Sequence, residues 1–414
     1  MELGATTNDA AAAQGKPLDG VRVLALEQMQ SLPWCTQLLG RLGADVVKLE
    51  HPVGGDMGRG SMPAMTDPDG RKVGATFLRN NLGKRSVTVD LKNPEGRDLV
   101  LALAPRFDVV AQNFKAGTLD RLGLGYAAVS AVHPAAIYLS ISGFGTTVAS
   151  PYDRWPAFAP IVEAMSGIYE FKRPGDEPPV VAPVDALGDI GAGLFATVGV
   201  LAALRHREAT GFGQHVDVAM LDAMVAMTDI VTNFWSMGLK GGELGPLIMH
   251  GFRASDGWFI VQVGREAQFA KLVEVIGHPE WADDPRFATR QGWIDHLEDV
   301  LRPAIESWAA GRTKVEACDA LALAGVAAGP SFTAEDVVHD AHVAARDMLV
   351  EVPRTDGVDQ PVLVPGNPVK LSGMQEGPET RPPWLGEHTG QVLAEELGLT
   401  EAEVARLRAA GAIG

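Results

Sequence analysis

Apolar and polar positions alternate from Val21 to Glu27 (VRVLALE), the two-residue period of a β-strand. From Pro33 to Leu42 the apolar residues recur at helical spacing, with Pro33 placed to open the helix. Asp45–Glu50 (DVVKLE) reads as a second short strand and Arg85–Leu91 (RSVTVDL) as a third. Asn93-Pro94-Glu95 then supplies an N-cap, a proline at the first helical position and an early acid, which predicts a helix to about Arg106. Asp108–Phe114 (DVVAQNF) and Ala136–Ser142 (AIYLSIS) are further strands, the second ending in the turn Gly143-Phe144-Gly145. Such alternation indicates an α/β fold, a parallel sheet covered by helices. Ligands in these folds gather beyond the carboxyl ends of the strands. Gln28–Ser31, His51–Arg59, Asn113–Lys115 and Ser142–Gly145 all fall at such ends.

After a helix over Leu187–Arg207 and a strand over Gln214–Met220 the rhythm changes. Residues 226–250 contain no clear βα unit and read as a linker. Gly257–Val263 (GWFIVQV) opens a smaller α+β domain, 251–334, of mostly helical pattern to about Ala328. From Thr389 the chain carries two short amphipathic helices, with Gly398 a stop for the first. Residues 1–16 lack the apolar stretch of a signal peptide and read as a disordered tail. The apolar run from Gly191 to Leu204 is too short for a membrane span.

At 414 residues and 46% hydrophobic content the chain is long enough for more than one domain with packed cores, and it has no internal repeat. Cys35 and Cys318 cannot make a disulfide framework or a multi-thiolate metal site, and they suit a reducing, cytoplasmic compartment. A net charge of −17 argues against nucleic acid as a partner. Residues 1–100 hold twelve Lys/Arg and twelve Asp/Glu, so the acidic excess lies entirely in the remainder. That leaves the N-terminal part suited to an anionic ligand, unless surface charge simply varies along the chain.

Asp189, in Gly188-Asp189-Ile190-Gly191-Ala192-Gly193, stands just ahead of the apolar helix. A helix amino terminus favours a negative charge, and glycines clear the way for a ligand, so this carboxylate is a candidate nucleophile. It is equally a candidate helix cap beside glycines that let backbones pack closely. Gly191–Ala196 (GAGLFA) also fits a weak dinucleotide fingerprint, with Asp217 near the distance of a ribose contact. The preceding VVAPVDALGD, with Pro183, is a poor central strand. Arg59, Lys84, Arg85, Lys92 and Arg121 are candidate phosphate partners or a solvated face. Cys35 reads as a buried structural thiol. His339 and His342 have no third partner nearby for a metal, and no Walker loop or G-x-S-x-G occurs.

The ordered series PLDGVRVL (17–24), CTQLLGRLGADVVKLE (35–50), GDMGRG (55–60), NLGKRSVTVDLKNPEGRDL (81–99), NFKAGTLDRLGLGY (113–126) and SISGFG (140–145) continues through ALGDIGAG (186–193), VGVLAALRHREATGFGQHVDVAMLDA (198–223), HPEWADDPRF (278–287) and LGEHTGQVLAEELGL (385–399). From residue 17 to about 410 it resembles the class III CoA-transferase family, which includes formyl-CoA transferase, carnitine CoA-transferase and α-methylacyl-CoA racemase. In motif it is closest to formyl-CoA transferase. The resemblance implies a large Rossmann-like domain from both chain ends (17–225 and 335–414), an inserted small domain and an interlinked homodimer. It implies transfer of coenzyme A between an acyl-CoA and a free carboxylic acid through a mixed anhydride and an aspartyl-CoA thioester on Asp189. Gln30 and Ser31 fall on thioester-positioning positions. His51, Arg59, Val89, Asp90, Leu91, Lys92, Asn113, Phe114, Lys115, Arg121, Ser142, Gly143, Phe144 and Gly145 fall on or beside coenzyme A-contacting segments. No tightly bound cofactor, metal or membrane is implied; coenzyme A is substrate.

Departures from the family pattern bear on the chemistry. The racemase branch uses a His as a proton-transfer base where this chain has Phe158, so α-proton isomerisation is disfavoured. The glycine run of formyl-type enzymes is interrupted here (Gly241-Gly242-Glu243-Leu244-Gly245), which keeps a silent coenzyme A-binding protein in view. Ser61 and Phe144 replace a Trp and a Tyr of the formyl-type pocket, and Trp34, Met57, Met62 and Phe144 suggest a more apolar one. A nicotinamide-dependent oxidoreductase using GAGLFA is the remaining alternative.

Overall fold

The computed structural model describes residues 1–170, 173, 175–181, 186–239 and 245–414. It divides into two compact units, Met1–Gly238 with Ala345–Gly414, and Leu239–Ala344. The first unit runs β1 (Arg22–Leu26), α1 (Ser31–Arg41), β2 (Asp45–Glu50), the hairpin β3 (Ala64–Thr66) and β4 (Lys72–Gly74), α2 (Ala75–Asn80) and β5 (Arg85–Thr88). It continues through α3 (Pro94–Leu103), β6 (Val109–Gln112), α4 (Thr118–Arg121), α5 (Tyr126–Val132), β7 (Ile137–Ser142), α6 (Ala159–Met165), α7 (Leu187–Thr210), β8 (His215–Ala219) and α8 (Met220–Ala226). Six strands form one sheet in the order β5-β2-β1-β6-β7-β8, every neighbour parallel. Sequence order reverses between β1 and β6, which opens a crevice beyond their carboxyl ends.

The second unit contains β9 (Ile248–Ala254) and β10 (Gly257–Val263), then α9 (Glu266–Val275), α10 (Arg290–Asp295), α11 (Arg302–Ala309), α12 (Lys314–Leu323), β11 (Ala327–Pro330), α13 (Ala334–Val338) and α14 (Ala341–Ala345). Its antiparallel sheet, β11-β10-β9, packs one face against the helices around Trp293, Phe252 and Phe259. β9 begins inside the stretch expected to be a linker; Gly251 and the exposed Met249 and His250 blur its alternation. The small-domain bounds 251–334 lie within this unit, while 226–238 go with the first.

Back in the first unit come the hairpin β12 (Leu349–Val352) and β13 (Val362–Pro365), then α15 (Thr389–Leu397) and α16 (Glu401–Ala409). In β1 the alternate residues feed two cores. Val23 and Ala25 join α1, α6, α7 and α8 on one face. Leu24 and Leu26 join α3, α15 and α16 on the other. This double burial explains why central strands of a parallel sheet tolerate few polar residues. α3 begins as expected, Asn93 accepting the Glu95 N–H and Pro94 at the first turn, and α15 stops at Gly398 in the left-handed region.

Two local expectations are corrected. Residues 1–16 are not a disordered tail. The Met1 amine donates to the Leu349 carbonyl at 2.7 Å, Gly4 N–H to Glu379, and Asn8 Nδ2 to Ser372 and Met374, with Ala11 buried. Their partners lie more than 300 residues away, beyond local pattern. The apolar run 191–204 belongs to the longer α7, which by length and composition suffices to cross a membrane; half of its apolar window is buried within the protein.

Candidate functional site

Asp189 lies in the first turn of α7, two residues past the helix start rather than ahead of it. The capping position belongs to Ala186 in the left-handed region, so Asp189 is not the cap. Its carboxylate stands where the helix dipole favours negative charge. The amino end of α7 is anchored by Glu163, a buried residue of α6 that accepts the Gly188 N–H at 2.9 Å and a hydrogen bond from Tyr169. The flanking glycines lie in close packing contacts. A Cβ at Gly188 would meet Val162 at 2.8 Å, one at Gly191 would meet Met227 at 2.4 Å, and one at Gly193 would meet the Ser31 carbonyl at 2.8 Å. They also sit inside a helix with no strand leading into it among the described residues, and Asp217 is engaged elsewhere. GAGLFA is therefore not a dinucleotide turn.

A cavity of about 350 Å³ joins Asp189 to all four of the predicted loops: Gln28, Met29 and Ser31; Met57 of the 51–59 loop; Asn113, Phe114 and Lys115; and Ser142–Gly145. Met57, Trp155, Phe158 and Met220 complete a largely apolar wall. Phe158 thus lines the same cavity as Asp189, with no proton to offer or take. Of the four residues expected to make an acyl pocket apolar, Met57 and Phe144 line this cavity; Trp34 packs against Gly193 and Met62 is exposed. A second cavity of about 220 Å³ is lined by Leu26, Leu49, Val89, Leu91, Phe114 and Leu122, with His51, Asp90 and Lys92 also on it. The two share Gln28 and Phe114. Arg121 lines neither; it bonds Thr118 at 3.2 Å, and Thr118 lines the second. Lys115 Nζ bonds the Arg154 carbonyl at 2.8 Å.

Gln28–Ser31 is held from both sides. Asn113 accepts the Gln28 N–H at 2.9 Å and donates to the Gln28 carbonyl at 2.8 Å and to Ser31 Oγ at 3.2 Å. Asp56 accepts the Met29 N–H at 2.8 Å. Gln30 is buried, and its Nε2 has no hydrogen-bond partner among the described residues. A buried amide without a partner is costly unless a ligand supplies the acceptor.

Behind that turn lies a buried ionic network that the strand pattern only hinted at. Glu27 Oε1 takes Lys84 Nζ at 2.7 Å and Lys48 Nζ at 3.3 Å, and Glu27 Oε2 takes Thr36 Oγ1 at 2.7 Å. Lys48 also pairs with Asp56 Oδ2 at 2.7 Å. Burial opposes the charge on Glu27, but the two lysines outweigh it and hold its carboxyl below the usual range. Burial likewise works against Lys48, yet Asp56, Glu27 and Glu50 together keep its pKa above the ordinary value. Among the described residues Lys84 has Glu27 as its one ion-pair partner; burial and the nearby Lys48 charge push it down to about 8. The readable signal was Lys48 itself, a cation inside a strand covered on both faces.

Arg59 belongs to the same region and is corrected as a ligand partner. It is buried, grips both oxygens of Glu50 at 2.7 Å and stacks on Phe77 at 3.6 Å, which leaves no face for a phosphate. Lys84 is likewise consumed internally, and Arg85 pairs with Asp45 and Glu395. On the far side, Asp217 of β8 accepts four bonds of 2.7–2.8 Å from the backbone and hydroxyls of Thr146 and Thr147. Burial raises its pKa, but these bonds prevail and hold it below the usual value. The loop bearing Phe144 is thereby tied to the sheet edge. Of the interrupted glycine run 241–245, residues 241–244 lie outside the described residues. Among the described residues no cluster of three metal-ligating side chains occurs.

A profile described as CoA-transferase family III matches residues 18–389. The succinyl-CoA--L-malate CoA-transferase beta subunit of Chloroflexus aurantiacus is 33% identical over 400 residues, covering 95% of this chain and 97% of that protein. A formyl-CoA:oxalate CoA-transferase of Rhodopseudomonas palustris is 32% identical over 430 residues, 96% and 97% of the two chains. The crystal structure of a CAIB/BAIF family protein from Brucella suis superimposes with a TM-score of 0.79 at 34% identity, covering 92% of this chain and all of that one.

Proposed function

The chain belongs to CoA-transferase family III, and from that premise we propose that it moves coenzyme A between two carboxylic acids through covalent intermediates on Asp189. The observation that carries this reading is the shared cavity: Asp189 opens onto the same space as Ser31 and the 142–145 loop. An Asp189 oxygen attacks the thioester carbonyl carbon and the C–S bond breaks, giving a mixed anhydride and coenzyme A thiolate. The thiolate attacks the aspartyl carbon, the C–O bond breaks, and the first acid leaves as its carboxylate. A second carboxylate attacks the aspartyl-CoA thioester, expelling the thiolate again. Attack of that thiolate on the new acyl carbon frees Asp189. No net proton is moved, so the absence of a base at Phe158 is no obstacle.

In this reading Ser31, on the cavity wall, faces the thioester, and the buried Gln30 amide next to it, which lines neither cavity, is the spare donor. The apolar second cavity takes the nucleotide end of coenzyme A, with Val89–Leu91 and Phe114 against the base. Lys92, Lys115, Arg121 and His51 serve its phosphates and ribose. Arg59 is left out of this set. Coenzyme A is bound as substrate only. The thiols Cys35 and Cys318, both free and buried, suit a cytoplasmic setting. We place two copies of the chain in an interlinked homodimer. In support, Leu194, Phe195, Val198 and Leu201 form an exposed apolar stripe on α7 that wants a cover.

The test is Asp189→Ala against the native protein, with exchange between acyl-CoA donors and free acids followed by mass. The variant is expected to lose at least about a thousandfold in rate, as removal of a covalent nucleophile does. Full exchange by the variant would overturn the reading.

A further inference from the structure

The turn Gln28–Ser31 carries an unusual backbone. Met29 has φ +61, the left-handed region that a side chain other than glycine rarely adopts. Such a conformation persists only where its surroundings impose it. The Met29 N–H is taken by Asp56 Oδ1 at 2.8 Å, and that carboxylate is itself immobilised. Its Oδ1 also accepts the Gly58 N–H at 2.7 Å, its Oδ2 meets Lys48 Nζ at 2.7 Å, and its own N–H bonds Glu50 Oε2 at 3.0 Å. Asp56 and Lys48 are both fully buried. A neutral side chain would accept the same two N–H bonds without the desolvation that this ion pair incurs; a carboxylate makes them stronger and fixes them against Lys48.

The turn also meets the helix bearing Asp189. Gly193, one turn beyond Asp189, lies against the Ser31 carbonyl with no room for a Cβ. The position of 28–31 therefore sets how far Gln30 and Ser31 stand from Asp189. We infer that Asp56, braced by Lys48, is a positioning residue: it holds Met29 in the left-handed conformation and so places the thioester-binding turn opposite the nucleophile. This rests on the Asp189 reading for its chemistry, though the clamp itself does not.

Two variants and two readouts test it. Asp56→Ala removes the acceptor but strands the Lys48 charge, so the double variant Asp56→Ala with Lys48→Met is made alongside it to keep the fold. Hydrogen exchange at the Met29 amide reads the clamp without any substrate. It is expected to quicken at least about tenfold in the double variant, while amides of β1 stay protected. Covalent adduct formation from succinyl-CoA, followed by intact mass, is expected to slow by about 10- to 100-fold with little change in the half-saturating concentration, as misplacement of reacting groups does. Replacing Met29 by Gly in the double variant is expected to recover part of that rate, because glycine adopts φ > 0 without help. A merely structural role for Asp56 predicts no such rescue. Unchanged exchange at Met29, or a loosened turn with the native adduct rate, would overturn the inference. Native protein that forms no adduct would instead count against Asp189, and the Met29 exchange would still decide the clamp.

Discussion

The two sides of the cavity are built by opposite means. On the β1–β2–β5 side, Glu27, Lys48, Lys84, Asp56, Glu50 and Arg59 are buried and paired with one another. On the β7–β8 side, Phe144, Tyr152, Trp155 and Phe158 form an aromatic wall, Trp155 and Phe158 more than half exposed, with ring centroids 5.3 Å apart for Phe144–Tyr152 and 4.9 Å for Tyr152–Trp155. Buried ion pairs are unforgiving of change but fix geometry, whereas exposed aromatic contacts tolerate substitution. On the proposed reading the floor positions and the wall discriminates. Breaking each side ought to give different symptoms.

The largest effect is expected from Glu27→Ala, which takes the ion-pair partner from buried Lys84 and leaves Lys48 to Asp56 and the nearby Glu50. Removing one partner of a buried pair costs about 3–5 kcal/mol, so chemical denaturation is expected to show an unfolding free energy lower by that amount. A smaller loss would mean that water reaches the network. Next is Gly193→Ala, whose Cβ would lie 2.8 Å from the Ser31 carbonyl and must push α7 from α1. Overpacking of this kind costs about 1–3 kcal/mol, and exchange activity is expected to fall with it. Phe158→Ala, on the wall, is expected to leave the melting temperature nearly unchanged and to alter discrimination among acyl groups by about 10-fold or more, read as kcat/KM ratios for paired acids. If stability falls instead, the wall is structural.

The smallest is Asp217→Asn. The folded Asp217 carboxyl is held below 3.8, so its contribution is present above that pH and fades as pH falls through its lowered folded value. The melting difference between native protein and Asp217→Asn is expected to be modest at pH 7 and to narrow below about pH 3.8. A difference independent of pH would show that the charge is irrelevant to the loop.

Much of the frame was legible locally. The strand at 22–26, the Asn93-Pro94 start and the Gly398 stop follow from period, capping and turn chemistry, which act over a few residues. The loops carrying Ser31, Asn113 and Ser142 were legible too, because a βα rhythm puts them at strand ends. The ordered motifs singled out Asp189. What they did not convey was its setting: the first turn of α7, with glycines cleared for Val162, Met227 and Ser31.

Arg59 shows why the rest was hidden. In sequence it is a cation in a glycine-rich loop, indistinguishable from a phosphate ligand; in the fold Glu50, nine residues back, claims it. The N-terminal sixteen residues look polar and small because their order comes from partners at 349 and 372–379. Sequence by itself determined the α/β rhythm, the ends where ligands gather and the family, since those depend on short-range periodicity and on motifs in fixed order. Only tertiary structure decided which charges face a ligand and which are spent on each other. That choice depends on burial and on pairs such as Lys84–Glu27, 57 residues apart, which no local pattern encodes.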